Sequence, residues 1–395
     1  MEALRIWREV GWISSEREEA PFEDFISAAR AYVGELRGRP ECLVATHPGT
    51  VNYHGQALDL CAVTAVTTGR IARRQGVATR LTAHALARAA ESGAHVAGLG
   101  VFDQGFYNRV GFGTGSPVRI LSFDPASIKK GTKPGVPYQL TVEDAVAVHR
   151  SRWASRLTHG NCRLTPVEVT RAEMRWTEGG FGLGYFNSDG DLTHHIWVAP
   201  KGEHGPHSIW WLSYRTGDQF RELMQLIRTL GDQVHSVSID EPAGIALDDL
   251  IEQPFKQLRM TRRSQYEAKS LAYAYWQVRI LDLEACIAAV SCDRALRFNL
   301  VLDDPVSELV GGDSQWKGLS GEYTVDLGPE SMVKRGATPG LPLLKAGVGA
   351  FSRLWFGVRS AAGLSITDAL EADAELIETL DKTLPARVPQ FAWPY

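Results

Sequence analysis

One stretch, Leu60 to Gly113, restricts the fold of this chain more than any other. It opens with Leu60-Cys61-Ala62-Val63-Thr64-Ala65-Val66, an apolar, partly β-branched run with the length of a buried strand. A basic turn follows, Arg73-Arg74-Gln75-Gly76-Val77-Ala78. Thr79 to Ser92 then carries Leu81, Ala85, Leu86 and Ala89 at helical spacing, with Gly93 just past its end. Val96 to Val101 predicts the next strand, and Phe106-Tyr107-Asn108-Arg109-Val110-Gly111-Phe112-Gly113 comes after it.

Strand, basic glycine turn, helix is an order suited to phosphate. The first N–H groups of a helix lack intrahelical acceptors, and the helix dipole draws anions to that end. Gly76 lets backbone approach closely, small Ala78 keeps the opening clear, and Arg73 and Arg74 add guanidinium charge at its mouth. A solvated basic cap would use the same residues. No Gly-x-x-x-x-Gly-Lys-Ser/Thr occurs, so a nucleotide P-loop has no support. Gly179 to Gly184 is glycine-dense without dinucleotide spacing and reads as a strand entry.

Arg73 to Ala78 matches the Arg/Gln-x-x-Gly-x-Gly/Ala signature of the GNAT acyl-CoA transferases. Phe106 to Gly113 resembles the Ile-Tyr-Gly-Arg-Phe-Gly-Tyr-Gly segment of one branch, the Eis-like (enhanced intracellular survival) N-acetyltransferases. The resemblance implies an α/β (α+β) fold: tandem GNAT-type mixed-sheet domains, then a smaller sterol-carrier-like α+β domain. It divides the chain into residues 1–130, 136–273 and 276–395. It implies acetyl-CoA as co-substrate, with Arg73, Arg74, Gln75, Gly76, Val77 and Ala78 on its pyrophosphate. The backbone groups of Ala65 and Val66 would face its pantetheine arm and thioester.

The same resemblance assigns Tyr107 as general acid toward the departing CoA sulfur. A phenol with a pKa near 10 is matched to that task. It assigns the terminal carboxylate, on Tyr395, as general base; with a pKa of roughly 3.5 such a group is ionised at neutral pH. Phe391, Trp393 and Tyr395 with two prolines make a tail suited to docking rather than to solvent. The acceptor implied is an amine of a small, aminoglycoside-like molecule or a lysine side chain, and the assembly a homo-oligomer, a hexamer in the family. The segment Phe102-Asp103-Gln104-Gly105 departs from the family's Ser-Glu-Gly-Gly, placing a bulky ring near the thioester. The segment ahead of Leu60 is short for the family.

The rest of the sequence sets wider bounds. A chain of 395 residues exceeds one ordinary core and implies two or three domains. Net charge is −4 with both signs interspersed, which proposes neither nucleic acid nor an anionic membrane as partner. No apolar run reaches membrane-spanning length, and Met1 to Glu9 lacks a signal-peptide core. Five scattered cysteines fit a reduced, cytoplasmic protein. Leu4 to Trp7 reads as an edge strand, Pro21 to Leu36 as a helix, and Glu41–Thr46 and Thr50–Tyr53 as short strands around Pro48-Gly49. Asp124 to Pro137 reads as a linker. His194, His195, His204 and His207 cluster without cysteine or carboxylate at ligand spacing, so no metal site is assigned. An acyl-CoA- or lipid-binding protein without catalysis is the competing class, and a longer acyl donor or another nucleophile a third; a binding module needs neither Tyr107 nor an aromatic terminus.

Overall fold

The computed structural model describes residues 2–100, 105–384, 386–391 and 393, and the site candidates Phe102 and Tyr395 lie outside them. The architecture is mixed α/β, built on three sheets. In the first, the order is Arg30–Leu36, Arg39–Tyr53, Gln56–Thr68, Val96–Gly100, Trp276–Ile280 and Gly113–Thr114, with Cys162–Leu164 on the far part of Arg39–Tyr53. In the second it is Lys269–Tyr273, Val118–Phe123, Val237–Asp240, His207–Ser213, Leu192–Ala199, Phe181–Phe186 and Tyr138–Leu140. The third holds five strands between Leu296 and Glu371. Strands cross the boundaries expected at 130 and 276. Val118–Phe123 pairs in the second sheet, and Trp276–Ile280 pairs with Val96–Gly100 in the first.

Local chemistry sets the first sheet's hairpins. Arg37 and Gly38 have φ of 55° and 74°, and His54 and Gly55 have φ of 48° and 98°. Two successive left-handed residues make the tight turn whose twist matches antiparallel strands. The first hairpin corrects the reading of Pro21 to Leu36: the helix ends at Ser27, and Arg30–Leu36 is an edge strand paired with Arg39–Thr46. Apolar spacing over so few residues fits either element, and the hairpin turn decides. Arg39–Tyr53 is continuous through Pro48. The Pro48 carbonyl accepts from Thr165 N at 2.9 Å, so its missing N–H falls on that same edge, between the partner strand that ends at Thr46 and the one that begins at Gly49. Glu2–Val10, expected to include a strand, is a helix. Arg5 bridges Glu2 at 2.8 Å and Glu9 at 3.2 Å on its outer face, while Ile6 and Trp7 are buried beneath.

A fully buried ion pair joins the first and third sheets. Arg279 on Trp276–Ile280 pairs with Asp304, just past Leu296–Asp303, and neither side chain has any exposure. Asp304 also accepts from Val306 N at 3.1 Å and Leu319 N at 2.8 Å, while Arg279 donates to the Val110 carbonyl. Removing one member strands the other charge, at a cost of about 3–5 kcal/mol. Arg279→Met is therefore expected to lower the urea midpoint strongly, and Arg279→Met with Asp304→Leu to recover part of the loss. A double variant no better than the single one would show that the charge pair is not the source.

Several buried histidines stay neutral. His195 accepts from Trp211 Nε1 at 3.1 Å through Nε2, which leaves the Nδ1 proton for Ser151 Oγ at 3.1 Å. Burial holds its pKa down at about 3, and burial likewise lowers His47 and His149 to about 4. The unfolded chain titrates these groups near 6.5, so it binds more protons than the native state between about 4 and 6.5. Their contribution is complete above pH 6.5 and is lost as pH falls toward 4. Urea midpoints across pH 7.5 to 4.5 should decline below 6.5, more shallowly in His47→Gln.

Candidate active site

The site grows out of a defect in the strand Gln56–Thr68. Leu43 pairs with Thr67 and Ala45 with Thr64, so Ala65 and Val66 together face Val44. This is a β-bulge, and Ala65 takes the left-handed φ of 55° that it needs. The Thr67 hydroxyl donates to the Ala65 carbonyl at 2.9 Å and pins the kink. Just before the bulge, the parallel pairing with Val96–Gly100 stops at Val63 and Leu99. Bulge and parting together turn the backbone of Ala65 and Val66 away from the ladder, at the C-terminal ends of parallel strands where open sheets bind ligands.

The basic turn hangs from this strand end. Gly69 N donates to the Glu41 carbonyl at 2.7 Å and Arg70 N to Glu9 Oε1 at 2.5 Å, which ties the turn to the first helix. Arg74 has φ 60°, and Gly76 caps the helix Val77–Glu91 with φ 72°. The first backbone bond of that helix runs from Arg80 N to Gly76 O at 3.1 Å. The amides of Val77, Ala78 and Thr79 precede it and have no intrahelical acceptor. Arg73 and Arg74 are exposed, and neither is ion-paired among the described residues. An open cleft of about 670 Å³ is lined by Arg73, Arg74, Gly76, Val77 and Ala78, with Thr68, Ala72, Thr79, Phe106 and Arg109. Gln75 is not on that lining; its carbonyl accepts from Arg80 Nη2 at 3.4 Å. Amide donors, two guanidinium groups and a glycine at close approach fit a pyrophosphate.

Tyr107 opens a short 3-10 turn, Tyr107–Val110, that packs against the helix Val77–Glu91. The phenol ring is buried beside Phe106 at 4.9 Å and Phe112 at 6.2 Å, both edge-on. Asn108 braces the turn: its Oδ1 accepts from Gly105 N at 3.0 Å and its Nδ2 donates to the Phe112 carbonyl at 2.8 Å. Gln277 Nε2, from the inserted strand, reaches Asn108 Oδ1 at 3.3 Å. Gly111 ends the turn at φ 81°, where a Cβ would lie 2.3 Å from Arg279 Nη1. Only glycine satisfies both the dihedral and the space.

The C-terminal segment is docked as far as it is described. Phe391 stacks on Trp276 at 4.4 Å, beside the strand that carries Gln277 and Arg279. Gln390 N donates to the His159 carbonyl at 3.1 Å, and Asn161 Nδ2 to the Gln390 carbonyl at 3.0 Å. Trp393 donates Nε1 to Glu173 at 3.1 Å, and the Arg152 guanidinium lies 3.7 Å over its ring. Tyr395 itself lies outside the described residues.

Of the sequence candidates, the cleft gathers Arg73, Arg74, Gly76, Val77 and Ala78. Ala65, Val66 and Tyr107 are placed on the adjoining strand and turn. Phe106 and Arg109 were quoted in the sequence motif without a role, and both line the cleft. Gln277 had no signal, because nothing local tells a strand near residue 276 to enter a sheet made by residues 30–114. The clustered histidines separate: His194 meets Glu222 at 3.1 Å, His195 meets Trp211 and Ser151, and His204 meets the Gln233 carbonyl at 2.9 Å. Among the described residues no three metal-ligating side chains converge.

Residues 2–115 match the acetyltransferase (GNAT) domain family. A comparison with curated proteins returns no match. Among solved structures, a conserved protein from Enterococcus faecalis described as a probable N-acyltransferase is similar over 100% of this chain and 96% of its own, with a TM-score of 0.80 at 18% identity. A GCN5-related N-acetyltransferase from Anabaena variabilis gives 0.78 at 14% identity, and Eis1 from Mycobacterium abscessus 0.76 at 15%, each over 100% of this chain and 96% of the other. These likenesses extend the fold match from the N-terminal domain to the whole chain. The chain carries a GNAT domain at its N-terminal end and is an acetyltransferase of that type.

Proposed function

We propose that the chain is an Eis-like, acetyl-CoA-dependent N-acetyltransferase that modifies a primary amine of a small molecule or a lysine side chain. The observation that carries this reading is the bulge at Ala65–Val66, beside the parting of the sheet, on a strand that runs on to Thr68 in the cleft lined by Arg73, Arg74, Phe106 and Arg109. Acetyl-CoA lies with its pyrophosphate on the amides of Gly76 to Ala78 and the guanidinium groups of Arg73 and Arg74. Its pantetheine arm pairs with the backbone of Ala65 and Val66 as an added strand would. A backbone N–H there also polarises the thioester carbonyl as oxyanion character develops.

The acceptor amine attacks the thioester carbonyl as a free base. The terminal carboxylate on Tyr395 takes its proton, directly or through water. As the tetrahedral intermediate collapses, the carbon–sulfur bond breaks and Tyr107 delivers its proton to the sulfur. Products are the amide and free CoA thiol. The tail's aromatic anchors support this assignment, because Phe391 and Trp393 hold the end of the chain against elements of the first and second sheets. Within this proposal, residues 136–273, with Val118–Phe123 paired into their sheet, form a degenerate second GNAT unit, residues 276–395, with Trp276–Ile280 lent to the first sheet, a sterol-carrier-like unit, and the working assembly is a homo-hexamer.

Thiol release from acetyl-CoA should depend on an added amine when polyamines, aminoglycosides and lysine peptides are screened. Release that no amine on the panel stimulates would count against the acceptor class. Tyr107→Phe is expected to lower kcat by about 10²–10⁴-fold with acetyl-CoA affinity unchanged by calorimetry. Equal losses in both would assign the ring a packing role. Residues appended after Tyr395 should depress turnover while leaving the urea midpoint unchanged; full turnover in such a protein would remove the carboxylate from the mechanism.

A further inference from the structure

The second sheet repeats the device that makes the first sheet's cleft. Leu192–Ala199 and His207–Ser213 are antiparallel, and Trp210 is an extra residue between the pairs Trp197–Trp211 and Val198–Ile209. His207–Ile209 then runs parallel to Val237–Ile239, beyond which the two strands part. A helix, Gly217–Thr229, follows as in the first sheet. What is missing is the phosphate turn. Three residues join Ser213 to Gly217, and the helix start is closed by its own capping box. Gln219 N donates to Thr216 Oγ1 at 3.3 Å, while Gln219 Oε1 accepts from Arg215 N at 2.7 Å and Thr216 N at 3.3 Å. The short connection brings no basic loop to that helix start, and the box takes up the Gln219 amide.

The parting is nevertheless open. A cavity of about 140 Å³ lies in it, walled by the aromatic rings of Trp211, Tyr214, Phe391 and Trp393. Three arginines line it, Arg152, Arg156 and Arg163, against one lining carboxylate, Asp240, which accepts from the Tyr275 hydroxyl at 3.2 Å. Arg152 is 7% exposed and sandwiched between Trp211 at 4.1 Å and Trp393 at 3.7 Å. Its Nη1 pairs with Glu173, but its Nη2 has no hydrogen-bond partner among the described residues. Arg163 donates Nη2 to the Ser155 carbonyl at 3.2 Å, yet its Nε is also buried without a partner among the described residues. It forms no ion pair among the described residues, and burial alone lowers its pKa. Buried guanidinium donors left orphaned are costly unless something accepts from them.

We propose that this cavity is a binding site for a small organic carboxylate, whose oxygens accept from Arg152 Nη2 and Arg163 Nε and whose apolar body lies against the aromatic walls. The planar oxygen pair of a carboxylate matches guanidinium geometry. The aromatic walls suit a ligand with a hydrocarbon part, which inorganic phosphate lacks. The volume limits it to a handful of non-hydrogen atoms, far below a CoA ester. Since Gln390, Phe391 and Trp393 form one side of the cavity, the bound carboxylate also fastens the C-terminal segment.

Isothermal titration of the full-length protein with propionate, succinate and benzoate tests this, with benzamide and inorganic phosphate as controls. Saturable binding of at least one carboxylate is expected, with none for the controls, and hydrogen exchange at residues 390–393 should slow in its presence. Arg163→Gln should weaken binding by about tenfold or more, the loss of one charge-assisted hydrogen bond. Ala243→Phe fills the cavity from a surface loop without touching a charge and should weaken it as well. Both variants should keep the wild-type urea midpoint. No saturable carboxylate binding, an equal response to benzamide or phosphate, or unchanged affinity in both variants overturns the proposal. Binding seen only after Pro394 and Tyr395 are deleted also overturns it, and assigns the arginines to the chain's own carboxylate.

Discussion

The buried pair between Arg279 and Asp304 is the contact on which the rest of this structure leans. Two charges without solvent are tolerable only when they face each other and further hydrogen bonds take up most of their remaining lone pairs and protons. Asp304 accepts from two backbone amides, and Arg279 donates Nη1 to the Val110 carbonyl at the end of the Tyr107 turn, while its buried Nε has no partner among the described residues. One guanidinium group thus joins the third sheet, the inserted strand and the turn that carries the tyrosine. The pair holds these elements in one register, which apolar packing alone specifies less sharply.

Around that anchor the first sheet is opened at one place. Parallel pairing ends at Val63 and Leu99, the bulge at Ala65–Val66 follows, and the arginine loop is tied back by Glu9 and the Glu41 carbonyl. Left-handed dihedrals at Ala65 and Arg74 concentrate the local backbone strain along this line. The strain is offset by ordinary packing elsewhere, and what it provides is a row of backbone donors with nothing intrahelical or interstrand to bond.

The second sheet shows the same opening without the basic turn. A three-residue connection with a closed capping box replaces an eight-residue basic one. The aromatic C-terminal segment crosses between the sheets, with Phe391 on Trp276 and Trp393 on Arg152. Two similar clefts, only one of them lined by a basic turn, are thereby linked by a single stretch of chain.

The sequence determined what is local. Hydrophobic run length fixed the strand at Leu60–Val66, the periodicity of Leu81 to Ala89 fixed the helix, and Arg73, Arg74 and Gly76 between them marked the basic turn that lines a cleft, because each signal depends on neighbours within a few residues. Short ambiguous windows failed for the same reason: Leu4–Trp7 and Tyr32–Leu36 carry spacing compatible with either element, and charge pairs in one case and a left-handed hairpin turn in the other decided them. The tertiary structure alone decided that Trp276–Ile280 completes the first sheet and Val118–Phe123 the second, that Gln277 braces the Tyr107 turn, and that orphaned donors of Arg152 and Arg163 share a cavity. Those outcomes depend on pairing across more than a hundred residues, where the stabilisation comes from burial and hydrogen bonds made only once distant segments meet.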